Sequence, residues 1–277
     1  MPPSIITLTT DFGASDPYVG EMKGVILGIN PEARLVDLTH GVQPQQVLHG
    51  SFLLATSFRY FPPGAIHLAV VDPGVGSSRR ALAVQAGGHY FVAPDNGLLS
   101  HVLWELGVRG RSRGQVPSLT GLKGRVRAVA LTEPRFWLHP VSSTFHGRDI
   151  FAPVAAHLSK GTRLEELGQE VSSLFLYAAP RPRRRRDGTL DGRVVHVDRF
   201  GNLVTNVREE DLPEGALAVT VAGRTIRGLS RWYSDVGEGK GPSLLAVMGS
   251  AGYLEVSARN ASAAAALGVG RGEAVSV

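Results

Sequence analysis

The sequence predicts two domains, an α/β N-terminal domain with a mostly parallel sheet followed by a smaller all-β, barrel-like C-terminal domain. Three observations carry that prediction. Strand-like and helix-like segments alternate through the first half of the 277 residues. Ala65 to Val71 is almost wholly apolar, as a strand covered on both faces should be. After about residue 175 short strand patterns follow one another with turns between them, the signature of an antiparallel sandwich or barrel. The boundaries fall at residues 1–175 for the first domain, 176–190 for a linker rich in Pro and Arg, and 191–277 for the second.

Taken in order, Ile5 to Thr9 is a short β-rich run, and Ser15-Asp16-Pro17 opens a helix that Gly28 to Pro31 closes. Arg34 to Leu38 is a second strand. A helix from Gln45 to Tyr60 stops at Pro62-Pro63-Gly64, ahead of the apolar strand at Ala65. Right-handed crossovers turn this βαβαβ pattern into a helix-covered sheet with ligand loops at the carboxyl ends of its strands. Ala81 to Ala86 and Tyr90 to Ala93 read as a hairpin about Gly87-Gly88, followed by a helix from Gly97 to Leu106, a strand from Val126 to Leu131 and a helix from Asp149 to Leu158. In the second domain the strands are Val194 to Val197, Leu203 to Val207, Leu217 to Val221, Thr225 to Leu229, Leu244 to Met248, Tyr253 to Ser257 and Ala274 to Val277. Only Ala261 to Leu267 has a helical pattern.

Composition narrows the class. Hydrophobic residues at 43% and charged residues at 19% are ordinary for a globular chain, and no apolar run approaches the roughly 18 residues of a membrane helix. Met1-Pro2-Pro3-Ser4 lacks a basic stretch leading into an apolar segment, so the expected location is the cytoplasm. The absence of cysteine excludes disulfides, thiolate metal sites and cysteine nucleophiles. The net charge of +5 is concentrated in Arg181, Arg183, Arg184, Arg185 and Arg186. No aromatic residue interleaves with that run to stack bases, so it reads as a solvated linker and nucleic acid is not favoured as a partner.

Polar loops after predicted strands are the candidates for chemistry. In Thr9-Thr10-Asp11-Phe12-Gly13 the carboxylate either accepts two hydrogen bonds from a ribose diol or caps its own turn. From Val70 to Arg80 an apolar strand ends in Asp72, and a Pro/Gly-rich loop folds back so that Arg79 and the carboxylate could meet, as an active pair or as a plain surface ion pair. No Gly-Lys-Ser/Thr follows, which disfavours triphosphate hydrolysis. His146, beside Gly147 at a helix entrance, suits a general base or a water-positioning group, or else a structural histidine. Asp95-Asn96-Gly97 could simply cap a helix. Asp198-Arg199-Phe200-Gly201-Asn202 joins two strands and offers an aromatic face with carboxylate and amide groups, a set that suits a base and its sugar or an ordinary hairpin. Residue chemistry alone stops at a two-domain enzyme with an Asp-Arg-His site and a purine-compatible loop.

Together, Thr9 to Gly13, Val70 to Arg79, Ala93 to Leu99, Thr144 to Pro153, Asp198 to Asn206 and Gly249 to Glu255 resemble the S-adenosylmethionine hydroxide adenosyltransferase family, the adenosine-forming S-adenosylmethionine hydrolases related to fluorinase and chlorinase. The resemblance spans nearly the whole chain in order, with about 108 to 142 and the arginine-rich linker matching poorly. It implies a homotrimer whose sites lie between the first domain of one subunit and the second domain of the next. It also implies a catalytic triad of Asp72, Arg79 and His146, with Asp11 on the ribose and Asp198, Phe200, Asn202 and Ser250 about the rest of S-adenosylmethionine. The halogenases carry tyrosine where Asp72 and His146 stand, which points to water as the nucleophile here. They also have Ser-Arg where this chain has Ser250-Ala251, so an arginine grip on the methionine carboxylate does not carry over. The substrate is a small molecule, and no metal or cofactor is implied. Two alternatives accompany hydrolysis: a non-catalytic regulator that binds S-adenosylmethionine or adenosine, which would not need the triad, and a halide-using 5'-halogenase.

Overall fold

The computed structural model describes residues 5–112, 116–179, 181–215, 217–235 and 242–277. Met1 to Ser4, on which the leaderless expectation rests, and Pro180 of the linker lie outside the described residues. The chain divides into two compact units, Met1–Ala179 and Pro180–Val277.

In the first unit β1 (Ile5–Thr10), α1 (Tyr18–Ile29), β2 (Arg34–Thr39), α2 (Val47–Ser57), β3 (Ile66–Val70), β4 (Ala81–Ala86), β5 (His89–Pro94) and α3 (Ser100–Glu105) follow the predicted order. They are joined by β6 (Ser118–Gly121), β7 (Arg127–Leu131), α4 (Ala152–Ser159), β8 (Gly168–Glu170) and β9 (Ser173–Leu176). The main sheet runs β2-β1-β3-β5-β4-β7-β8, while β6 and β9 pair separately. β1 is parallel to β2 and β3, and β3 to β5; β4 runs against β5 and β7, and β8 against β7. Thus β1, β2, β3, β5 and β7 point one way, a mostly parallel sheet with antiparallel strands toward one side.

The two-residue period of β3 explains its nearly continuous apolar run. Ile66, Leu68 and Val70 join a core with Met22 and Ile26 of α1 and Val154 of α4, whereas Ala69 and the following Val71 join a second core with Leu54 of α2 and Leu103 of α3. Helices cover both faces, and each buried Leu, Ile or Val contributes about 1.5–3 kcal/mol relative to exposure. The polar exception is His67, whose Nδ1 is 2.8 Å from Thr7 Oγ1. Burial, aided by neighbouring His89, pushes its pKa down to about 3, so the ring stays neutral in the core.

Three details differ from the sequence reading. The helix expected from Asp149 begins instead as a π-helical turn, Gly147–Phe151, that leads into α4. The strands β6, β8 and β9 are additional. The arginine run is not wholly a loose linker: Arg183–Arg184 form β10 against the next strand, and Arg184 donates to the carbonyls of Gly188 at 3.2 Å and Asp211 at 2.7 Å.

The second unit contains, after β10, β11 (Leu190–Val197), β12 (Leu203–Arg208), β13 (Ala218–Val221), β14 (Arg224–Arg227), β15 (Leu244–Met248), β16 (Tyr253–Ala258), α5 (Ala263–Leu267) and β17 (Ala274–Ser276). Its antiparallel sheet runs β14-β13-β17-β11-β12-β16-β15, with β10 alongside β11. Ser230, just past β14, bridges to Val247 of β15 and donates its N–H to the Ala246 carbonyl at 2.8 Å, which nearly closes the sheet. Val194, Leu203, Val207, Val219, Leu254, Val256 and Val275 fill its interior. Among the described residues no helix is long and apolar enough to cross a membrane.

Candidate active site

The carboxyl ends of β1, β2 and β3 place the first group of polar residues. Chain direction changes immediately after β3, and the loop from Asp72 tightens through Val75 N–H to the Asp72 carbonyl at 3.2 Å and Ser77 N–H to the Gly74 carbonyl at 3.1 Å. This returns Arg79 to Asp72. Its Nε lies 3.0 and 2.9 Å from the two carboxylate oxygens, and Nη2 also donates to Oδ2. The same Nη2 donates to His146 Nδ1 at 2.9 Å. Arg79 therefore bridges Asp72 of its own loop and His146, which lies 67 residues further along the chain, with its guanidinium 5.2 Å over the Phe151 ring. The pair is shielded, Asp72 being 5% and Arg79 10% exposed, where ionic hydrogen bonds are worth more than on the surface.

Because an arginine can only donate, His146 Nδ1 must accept, and the neutral ring carries its proton on Nε2. Burial lowers the His146 pKa from its ordinary value, and the Arg79 charge lowers it further against the opposing pull of Asp72 and Asp149. The ring is thus held as a neutral hydrogen-bond donor at Nε2.

Neighbouring residues fix these loops. Arg80, next to Arg79, turns to a different partner: its Nε donates to buried Asp95 at 2.8 Å, and Asp95 also accepts the Phe175 N–H at 2.8 Å. Asn96 donates to the Val71 carbonyl at 2.9 Å, tying the turn before α3 to the end of β3. Asp149, fully buried, accepts from Ser142 N–H at 2.8 Å and Arg148 Nε at 2.7 Å, and so holds the turn that carries His146. The sequence marked Asp95, Asn96 and Asp149 only as turn or helix residues; the bracing role of Asp95 and Asn96 depends on partners 15 to 80 residues away, and that of Asp149 on the fold of its own loop.

Asp11 follows β1, and its Oδ2 accepts the Gln45 N–H at 2.7 Å. Phe12, Tyr18 and Phe145 meet edge-on with ring centroids 5.2–5.8 Å apart, packing the Asp11 loop against the His146 loop. The first unit therefore brings Asp72, Arg79 and His146 into contact and sets Asp11 at a neighbouring strand end.

The second unit holds a cavity of about 910 Å³ lined by Asp198, Phe200, Asn202 and Ser250, together with Trp232 and Glu255. Its geometry separates the predicted residues by role. Asp198 accepts the N–H groups of Phe200 at 2.9 Å and Asn202 at 2.8 Å, and its other oxygen accepts Asn202 Nδ2 at 2.8 Å, so this carboxylate orders the loop. Phe200 is left 77% exposed, an open aromatic face. Gly201, at φ +83°, could carry no side chain because a Cβ would lie 2.0 Å from Ser262 Oγ, and its carbonyl accepts the Ala264 N–H of α5 at 3.0 Å. Burial and the nearby Asp198 charge raise the pKa of Glu255. Glu255 lay in the marked stretch Gly249 to Glu255 without an assigned role, and Trp232 was not singled out from sequence; the adjacent aromatics Trp232-Tyr233 in a polar turn were the available signal.

Comparison with known proteins agrees across both units. Residues 6–168 match the SAM hydroxide adenosyltransferase N-terminal domain and residues 192–276 match the SAM hydroxide adenosyltransferase C-terminal domain. The (R)-S-adenosyl-L-methionine hydrolase of Thermus thermophilus is 39% identical over 263 residues, covering 95% of each chain. The fluorinase of an Actinoplanes species is more distant, 26% identical over 93% of this chain and 91% of its own. An uncharacterized conserved protein from Thermotoga maritima, known as a crystal structure, superposes with a TM-score of 0.84 at 34% identity, covering 98% of both chains. With both domains matched in order and this identity sustained along the chain, the protein belongs to the SAM hydroxide adenosyltransferase family.

Proposed function

We propose that the protein hydrolyses S-adenosyl-L-methionine to adenosine and L-methionine, with water attacking the ribose 5' carbon. The observation that carries this reading is Arg79 joined to both Asp72 and His146. The name and 39% identity of the Thermus hydrolase support it. The sulfonium is a cationic leaving group that departs as the neutral thioether of methionine, so the protein must chiefly supply an oriented nucleophile.

Each side chain has a distinct part. His146 Nε2–H donates to the water oxygen and aims it. Arg79 stabilises the negative charge that grows on that oxygen and cannot itself take the proton. Asp72 retains lone-pair capacity beyond its bonds to Arg79 and accepts the proton as the new C–O bond forms and the C–S bond breaks; the proton then passes to solvent. Asp11 binds the ribose hydroxyls, and Phe200, Asn202 and Ser250 bind the remainder of the substrate. No metal or cofactor is required by these steps. In a homotrimer, the Asp11 and triad loops of one subunit would meet the Phe200 cavity of the next.

The test is the origin of the oxygen. In isotopically labelled water the reaction should give equal amounts of adenosine and L-methionine, with the label on the 5' oxygen. Added chloride or fluoride should give no 5'-halo-adenosine, because the Asp72 carboxylate repels a halide at that position. A halogenated main product would establish the halogenase alternative, and unlabelled adenosine would rule out direct attack by water. Binding without turnover would favour the regulator. The trimeric arrangement has its own test: Asp11→Ala and Asn202→Ala chains, each weak alone, should recover activity after verified subunit exchange, and no recovery would place the site within one chain.

A further inference from the structure

The loops after β1 and β2 are clamped to each other by contacts that converge on His40. Its Nδ1 is 2.9 Å from Thr10 Oγ1, and Thr10 Oγ1 in turn accepts the Phe12 N–H at 3.2 Å. The His40 carbonyl accepts the Gly13 N–H at 2.9 Å, so ring and backbone of one residue hold both sides of Asp11. On the far side of the ring, Nε2 lies 3.0 Å from Asp37 Oδ1, close but bent away from a straight hydrogen bond. Asp37 Oδ2 accepts from Lys23 Nζ of α1 at 2.6 Å. Burial raises the Asp37 pKa, but the Lys23 and His40 interactions outweigh it and hold the carboxyl below its ordinary value.

We propose that Lys23, Asp37, His40 and Thr10 form a positioning relay that fixes the Asp11 carboxylate for recognition of a vicinal diol. The inference rests on the reading of Asp11 as the ribose-binding residue. Thr10 is fully buried and His40 has a side-chain exposure of only 14%, so neither is placed to touch substrate. Their influence passes through the backbone on either side of Asp11. The carboxylate partner favours the ring proton on Nε2, leaving Nδ1 to accept the Thr10 hydroxyl, while the Thr10 oxygen receives Phe12 N–H. Donors and acceptors therefore run in a consistent sequence from His40 through Thr10 to the Asp11 turn, while Asp37, held by Lys23, acts on the far side of the ring through its charge. Beyond His40 the chain continues to Gln45, a non-glycine residue at φ +65° whose N–H reaches Asp11 Oδ2. Asp11 thus has its backbone held on both sides and one oxygen, Oδ2, held by the adjacent loop.

The test is discrimination between adenosine and 2'-deoxyadenosine, measured by calorimetry on the full chain with unfolding midpoints recorded for each variant. Wild type should prefer adenosine by roughly tenfold or more, the worth of a hydrogen bond to a charged acceptor, and Asp11→Ala should abolish that preference. His40→Ala should lose most of it and raise KM more than it lowers kcat. His40→Asn should restore it, because its carboxamide oxygen can take the Thr10 hydroxyl. Asp37→Asn, at a half-exposed position, should fall between and decides the matter if His40→Ala does not fold. Full preference in folded His40→Ala, or in Asp37→Asn if that is the deciding variant, with Asp11→Ala lacking it, overturns the relay alone. Retention of the preference in Asp11→Ala overturns the ribose reading and the relay with it.

Discussion

Replacing Arg79 with Ala is expected to lower turnover by roughly 10²–10⁴-fold, the range for loss of a positioned acid–base or charge-stabilising group. Adenosine affinity should change only a few-fold, because Arg79 contacts Asp72 and His146 and is not assigned to hold the substrate. Asp72→Ala and His146→Ala should behave alike, and a double variant should lose less than the product of its single losses, since the three side chains act as one hydrogen-bonded unit. Steady-state kinetics with a parallel adenosine titration checks this, and near-normal turnover in any single variant would remove that residue from the mechanism. The acid side of the rate profile gives a second reading of the same unit. His146 has its pKa lowered by burial and by Arg79, so it remains neutral as pH falls past the ordinary histidine value of about 6.5. Activity should hold through that region and decline only below it, when a proton on Nδ1 removes the acceptor for Arg79. The limb belonging to that proton should vanish in His146→Asn.

Gly76→Ala is expected to produce the next largest loss, at least tenfold in turnover, without contact with any reacting atom. Gly76 has φ +77°, and a Cβ there would sit 2.5 Å from the Ser143 carbonyl oxygen, a backbone atom with little freedom to yield. The clash would push the Asp72–Arg79 loop away from the segment that leads to His146. Gly64→Ala is the matched control: φ is +88° and the added methyl meets open space. Both substitutions incur about 1–2 kcal/mol for an L-residue in that backbone region, so both unfolding midpoints should fall, further for Gly76 because of the added clash, while activity is lost only for Gly76. Equal activity in the two variants would show that the loops tolerate separation.

Much of the first unit was legible because its burial is written in periodicity. The almost wholly apolar run from Ala65 to Val71 fits a strand with a core on each face, and the structure divides its side chains between two cores. The loops were legible by residue type at strand ends. What stayed hidden depends on pairing. Gly168–Glu170 has no apolar alternation and is a strand only because β7 lies beside it. The turn Gly147–Phe151 takes a wider helical geometry that local propensity does not encode. Asp198 was read as a ligand group or part of an ordinary hairpin, and the structure adds that its oxygens meet donors two and four residues onward, a bonding pattern set by the turn the backbone adopts. Asp37 fell inside the predicted strand Arg34 to Leu38 and His40 just past it, and only the parallel register of β1 and β2 brings His40 to Thr10.

The bridge between Ser230 and Val247 has a consequence for how copies of this chain can associate. A strand with free N–H and C=O groups invites addition of a strand from elsewhere. In the second unit the two ends of the sheet path, β14 and β15, are drawn toward each other by that bridge, which shortens the template such an addition would need. Association through this unit would then have to depend on side chains and loop shape, which discriminate between surfaces, instead of on main-chain pairing, which accepts almost any extended partner.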